Sequence, residues 1–184
     1  MESHVKKDAA LLEQKEEQVK EYLNKIAGIP EERIVYLDET GIDSYLYREY
    51  GYSLRGQKVY DKISGKKFQR TNIIAAKFGN EIIAPMQYNS KMDSALFELC
   101  FEKCLLLCPE KGTIIVMDNA SFHRKKQLTD ISARHQRTLI FLPPYSHDLN
   151  PIENFWAYLK SNIRNSIHTF RSFDDYISFV FQVC

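Results

Sequence analysis

TIIVMDNASFHRKKQLTDISARHQRTLIFL, residues 113–142, changes its apolar period twice within one short stretch. Thr113 to Asp118 is a continuous apolar run closed by an acid, the pattern of a buried strand. Arg124 to His135 is polar with apolar residues three or four apart, which predicts a helix, and Leu139 to Leu142 is a second short strand stopped by Pro143-Pro144. Strand, helix, strand in this order predicts parallel neighbours in one sheet, because a crossover through a helix returns the chain in the same direction.

Working outward, Ile34 to Glu39, Tyr52 to Tyr60, Asn72 to Phe78 and Glu81 to Tyr88 read as strands, the last two joined by the hairpin signal Gly79-Asn80. Three of them are expected to pair antiparallel. Asp93 to Cys108 predicts a helix ended by Pro109, and Pro151 to Arg164 and Phe173 to Val183 predict two amphipathic helices. A mixed sheet whose antiparallel part comes first, flanked by helices, is the α/β layout of a ribonuclease-H-like fold. Before it, Val5 to Ile26 is rich in Glu, Lys and Gln with only a narrow apolar stripe, and Gly28 and Pro30 end it. We expect residues 1–30 to form a helical arm outside the core and residues 31–184 the domain proper.

The chain has 184 residues, 44% of them hydrophobic, enough for one core. A net charge of +1 argues against a uniformly basic surface, so nucleic acid would have to meet local basic stretches. One lies between Arg55 and Arg70, where Arg55, Lys58, Lys62, Lys66, Lys67 and Arg70 stand against Asp61 alone. No run approaches the roughly 18 apolar residues of a membrane span, and the start lacks a signal peptide's apolar core. We expect no membrane partner and a cytoplasmic location. Cys100, Cys104 and Cys108 recur every four residues without a zinc-site pattern, which predicts buried thiols on one helix stripe and no metal there.

Three acids stand at the edges of apolar runs: Asp38 after Ile34-Val35-Tyr36-Leu37, Asp118 after Ile114-Ile115-Val116-Met117, and Glu153 after the segment from Leu142 to Ile152. If the two strands are neighbours, both aspartates end side by side, where like charges demand a cation. Magnesium takes such oxygen ligands, and a pair of ions suits phosphodiester chemistry. Duller readings compete. An aspartate after a strand also opens turns, and Asn150-Pro151-Ile152-Glu153 fits a capping box with Asn150 as N-cap. The positive end of a helix nevertheless favours an ionised carboxylate, so capping and ligation are compatible. Lys160 and Arg164 share a helix face with Glu153 and can reach phosphates; a solvated basic face is the alternative. Glu39 points away from Asp38 on an ideal strand, Asp148 is the spare third acid, and His123 and His147 are candidate bases or phosphate contacts.

Taken together, Leu37-Asp38-Glu39-Thr40-Gly41, Met117-Asp118-Asn119-Ala120-Ser121-Phe122-His123, and Leu142-Pro143-Pro144-Tyr145-Ser146 with Leu149-Asn150-Pro151-Ile152-Glu153-Asn154-Phe155-Trp156 resemble the catalytic domain of DDE transposases. The resemblance is to the bacterial insertion-sequence branch of the mariner superfamily and runs from about Arg33 to the C-terminus. The 34 residues between Asp118 and Glu153, and Glu as the third acid, fit that branch.

The resemblance implies that Asp38, Asp118 and Glu153 are catalytic and bind two Mg2+ ions, with Mn2+ as substitute. It also implies cleavage of double-stranded DNA at transposon ends and transfer of the freed 3'-hydroxyl to target DNA, usually at TA, by a homodimer. Candidate DNA contacts are Arg55, Lys58, Lys66, Lys67, Arg70, His123, Lys160 and Arg164. The chain departs from the pattern at His147, where the family usually has proline, and the family's helix-turn-helix region has no counterpart before Val5. A separate helix-turn-helix domain is therefore expected as partner. The alternative is a non-catalytic remnant that binds DNA or a full-length partner.

Overall fold

The computed structural model describes residues 15–43, 54–58, 70–89, 91–106, 112–166 and 173–183. Its centre is a five-stranded sheet in the order β3-β2-β1-β4-β5, built from β1 (Ile34–Asp43), β2 (Arg70–Phe78), β3 (Glu81–Tyr88), β4 (Ile114–Met117) and β5 (Thr138–Phe141). β1 and β2 pair antiparallel, as do β2 and β3, whereas β4 runs parallel to both β1 and β5. The expected mixed sheet is present. The hairpin falls where Gly79-Asn80 predicts it, with Phe78 opposite Glu81 and a positive φ at Gly79. A residue without Cβ meets that backbone conformation at little cost.

One expected strand is not seen among the described residues. Of Tyr52 to Tyr60, residues 54–58 are described, and they form a turn in which Gln57 N–H donates to the Leu54 carbonyl at 3.0 Å. Gly56, at φ +90°, breaks the extended run.

Alternation along β1 and β4 divides the core. Val35, Leu37, Ile115 and Met117 face α2 (Ser94–Cys100) and α3 (Lys125–Arg134) through Phe97, Phe101, Leu128 and Ile131. The opposite face packs Ile42, Ile73 and Ala75 against α4 (Ile152–Ser166) and α5 (Phe173–Val183), with Trp156, Leu159 and Ile177 buried between them. Helices thus cover both faces.

α2 continues as a π-helical turn, Phe101–Leu105, in which Leu106 N–H donates to the Phe101 carbonyl. Phe97, Phe101 and Leu105 take the inward positions, so the cysteine stripe is displaced from the core: Cys100 is half-buried and Cys104 exposed, contrary to the expected buried thiols. Cys108 lies outside the described residues.

The N-terminal arm also differs from expectation. Residues 15–26 form a helix, α1, whose Tyr22 is buried with Ile34, Val116 and Leu142, while Ile26 and Ile29 pack beside them. The narrow stripe does not include Tyr22, whose ring is the buried member of this helix.

Candidate active site

The parallel register sets the site. Leu37 lies opposite Met117, which lies opposite Phe141, and β4 and β5 both stop at that level. The next residue on β1 is Asp38 and the next after β4 is Asp118, so the two aspartates stand side by side where the parallel pairing ends. Asp38 does not end its strand as expected: β1 continues to Asp43 because its antiparallel partner β2 runs on past it. Only the parallel pairing ends there.

Asp38 is half-buried. Its Oδ2 accepts a hydrogen bond from Trp156 Nε1–H at 3.0 Å. Burial first, and then the negative charges of Glu153 and Asp118, push its carboxyl up to about 7, against hydrogen bonds from the Glu39 backbone and Trp156 that favour the charged form. The three acids therefore share one electrostatic environment, although Glu153 comes from a different element.

Asp118 approaches His123, whose Nε2 lies 3.0 Å from Oδ1. The sequence makes that ring a candidate DNA contact. It is instead buried, wedged between Phe97 and Phe122 at centroid distances of 4.3 and 4.1 Å, so it does not reach an open surface. The loop that carries it is held by a turn, His123 N–H to the Ala120 carbonyl, and by Ser94 Oγ–H donating to the Phe122 carbonyl at 2.6 Å.

Glu153 stands in the first turn of α4, with its N–H donating to the Asn150 carbonyl. The capping box is not formed by side chains: Asn150 is buried with its Nδ2 directed at the Leu37 carbonyl, 3.5 Å away, and its Oδ1 has no partner among the described residues. The backbone of β1 competes for this side chain and draws it from the helix. Glu153 remains partly exposed, and His147 Nδ1 is 3.9 Å from its Oε1, beyond hydrogen-bond reach.

Beside Asp118 opens a groove of about 320 Å3 between residues 118–120 and 142–147. A second groove, of about 220 Å3, shares Asn119, Leu142, Pro143 and Pro144 with it and is closed by Tyr22 and Lys25 of α1. Tyr145, 84% exposed and at φ +57°, stands at the lip.

The remaining candidates are dispersed. Arg55 and Lys58 are exposed on the 54–58 turn, Arg70 is exposed at the start of β2, and Lys160 is half-buried on α4. Glu39 and Asp148 are exposed, and neither side chain bonds to the acid cluster among the described residues. Lys66 and Lys67 lie outside the described residues, as does the side chain of Arg164.

Two groups at the site escape a reading of the sequence, the indole N–H of Trp156 and the amide of Asn150. One signal exists for the first: a buried Trp normally finds an acceptor for its N–H, and Trp156 sits one helical turn after Glu153.

The donor set suits a hard divalent cation. All three acids offer oxygen, and the repulsion that opposes ionisation of Asp38 is what a cation would offset. Among the described residues no group of three or more His, Cys, Asp or Glu side chains stands close enough together to hold a metal ion as placed. No helix among them is long and apolar enough to cross a membrane.

The sequence model of a family described as DDE superfamily endonuclease matches residues 33–177. The chain is similar to the Mos1 transposase paired-end complex with left transposon end, with a TM-score of 0.70 at 17% identity over 91% of this chain and 52% of that one. For the Mos1 mariner paired end complex with Mn the TM-score is 0.69 at 16% identity, over 91% and 53%. For the catalytic domain of Mos1 mariner transposase it is 0.60 at 13% identity, over 92% and 78%. An uncharacterized protein of Sinorhizobium fredii, y4pE/y4sA, is 35% identical over 66 residues, which are 35% of this chain and 45% of that protein. The chain thus spans about half the length of the transposases in the paired-end complexes and of that curated relative.

Proposed function

The chain belongs to the DDE superfamily endonucleases and has the ribonuclease-H-like fold of a mariner transposase catalytic domain; from this we propose that it is a metal-dependent DNA transposase domain in which Asp38, Asp118 and Glu153 are the catalytic acids. The observation that carries the reading is the end of parallel pairing at Leu37 and Met117, which sets Asp38 beside Asp118 with the charge of Glu153 acting on the same carboxyl.

Asp38, Asp118 and Glu153 would hold two Mg2+ ions, or Mn2+ in their place, which when bound activate an attacking oxygen and steady a leaving one. The chain's own part is orientation. The end of pairing between β1 and β4 fixes the two aspartates side by side, and the first turn of α4 carries the glutamate toward them. A phosphodiester enters along the groove beside Asp118, whose proline-bounded wall limits the approach. Water opens the bond at a transposon end, the 3' oxygen leaves as a hydroxyl, and that hydroxyl then displaces a 3' oxygen in target DNA.

Double-stranded DNA is the substrate, and two copies of the chain act together on paired ends. A separate helix-turn-helix domain supplies recognition of those ends. Arg55, Lys58 and Arg70 supply exposed positive charge for the backbone, and Lys160 shares a helix face with Glu153.

The test is nicking of supercoiled plasmid by the purified chain. We expect nicked product with Mg2+ or Mn2+, none with chelator, and loss to background in Asp118→Ala. Nicking that survives in Asp118→Ala, or that proceeds with chelator, overturns the assignment.

A further inference from the structure

Each aspartate of the cluster gives one oxygen to a buried ring nitrogen. Trp156, 1% exposed, donates from Nε1 to Asp38 Oδ2, and His123 Nε2 lies at the same 3.0 Å from Asp118 Oδ1. Neither ring is free to follow its carboxylate. Trp156 fills the core between α4 and the sheet, and His123 is clamped by Phe97 and Phe122.

His123 bears a cost that packing alone does not explain. Its Nδ1 is buried with no hydrogen-bond partner among the described residues, so the ring has given up one of its two polar contacts while keeping the one to Asp118. A phenyl ring would pack against Phe97 and Phe122 without that loss. What distinguishes histidine here is the Nε2 contact.

Trp156 adds a link between elements. It follows Glu153 by one helical turn, so the helix that presents the third acid also grips the first. A shift of α4 moves Glu153 and the Asp38 clamp together.

We propose that His123 and Trp156 are positioning residues of the acid cluster: by tying Asp118 Oδ1 and Asp38 Oδ2 they leave Asp118 Oδ2 and Asp38 Oδ1 as the oxygens that take a divalent cation. The inference rests on the reading of the three acids as a metal centre. Partners behind metal ligands fix ligand orientation, and their loss commonly weakens metal binding by about 10–100-fold.

The experiment is Mn2+ titration of the full chain, with free ion followed by electron paramagnetic resonance and folding by circular dichroism. Three variants are compared with the unaltered chain: His123→Phe, which keeps a ring; His123→Gln, which keeps an N–H at the reach of Nε2; and Trp156→Phe, which loses the indole donor together with part of the ring volume. We expect His123→Phe and Trp156→Phe to weaken Mn2+ binding about tenfold, and His123→Gln to stay within about threefold. If Trp156→Phe does not fold, the histidine pair alone decides. Equal weakening in the Phe and Gln variants, or unchanged affinity in folded His123→Phe, overturns the positioning role. Failure of the unaltered chain to bind Mn2+ instead overturns the metal centre itself.

Discussion

At Asp38 the surroundings resist ionisation: burial and two neighbouring acids hold the carboxyl near 7, against an ordinary 3.8. Between those values the folded chain retains a proton that the unfolded chain has lost. Metal-free stability is therefore highest below about pH 4 with respect to this group and falls as pH rises toward 7. Asp38→Asn removes the dependence. Without metal at pH 8 we expect its melting midpoint to exceed that of the unaltered chain by about 2–4 °C or more, the shift produced by about 1 kcal/mol in a domain of this size. Near pH 4 the two should converge, as thermal unfolding at both pH values would record. Proton and metal compete for the same oxygens, so Mn2+ affinity should rise through pH 7. Residue type and spacing are enough to make Asp38, Asp118 and Glu153 legible as candidates in the bare sequence. Trp156 is not, and His123 is legible only as a candidate base or DNA contact, because periodicity reports that a residue is buried but not which atom it turns toward.

Among the elements, α1 departs furthest from its sequence pattern, which is that of a free arm. The pattern is a polar helix with few apolar residues, and nothing in it says that Tyr22 enters the cluster of Ile34, Val116 and Leu142. Burial pushes the Tyr22 phenol up to about 12, and its hydroxyl has no partner among the described residues. Tyr22→Phe should accordingly be neutral or slightly stabilising, since it removes a buried polar atom without changing the packing. Tyr22→Ala should cost about 3 kcal/mol, in the range for large aromatic truncations. Urea unfolding of both variants tests the docking, and a Tyr22→Ala cost below about 0.5 kcal/mol, the size of an ordinary surface substitution, would return α1 to the status of a loose arm. The turn at residues 54–58 departs for the opposite reason. Its flanking apolar residues favour an extended chain, but Gly56 at positive φ outweighs them locally. By contrast, β4, α3 and β5 are legible to within a residue or two, because each carries one unmixed period bounded by a breaker.

For the whole molecule, sheet order follows from sequence because the crossover through α3 leaves β4 and β5 few alternatives. DNA contacts do not, since most basic residues are solvated whether or not they meet a phosphate, and the net charge is only +1. If Arg70 meets a phosphate, Arg70→Ala should lower the slope of log binding constant against log salt by about 1, measured by titration of labelled duplex. An unchanged slope would remove it from the interface. That the end of parallel pairing builds a metal centre from three acids far apart in sequence can be seen or refuted by anomalous diffraction from crystals of the chain soaked in Mn2+, with Asp118→Ala crystals as control. Manganese is expected against Asp38 and Asp118, near Glu153, and is expected to be lost in the control. No manganese at a well-ordered acid cluster, or manganese retained in Asp118→Ala, would contradict such a centre.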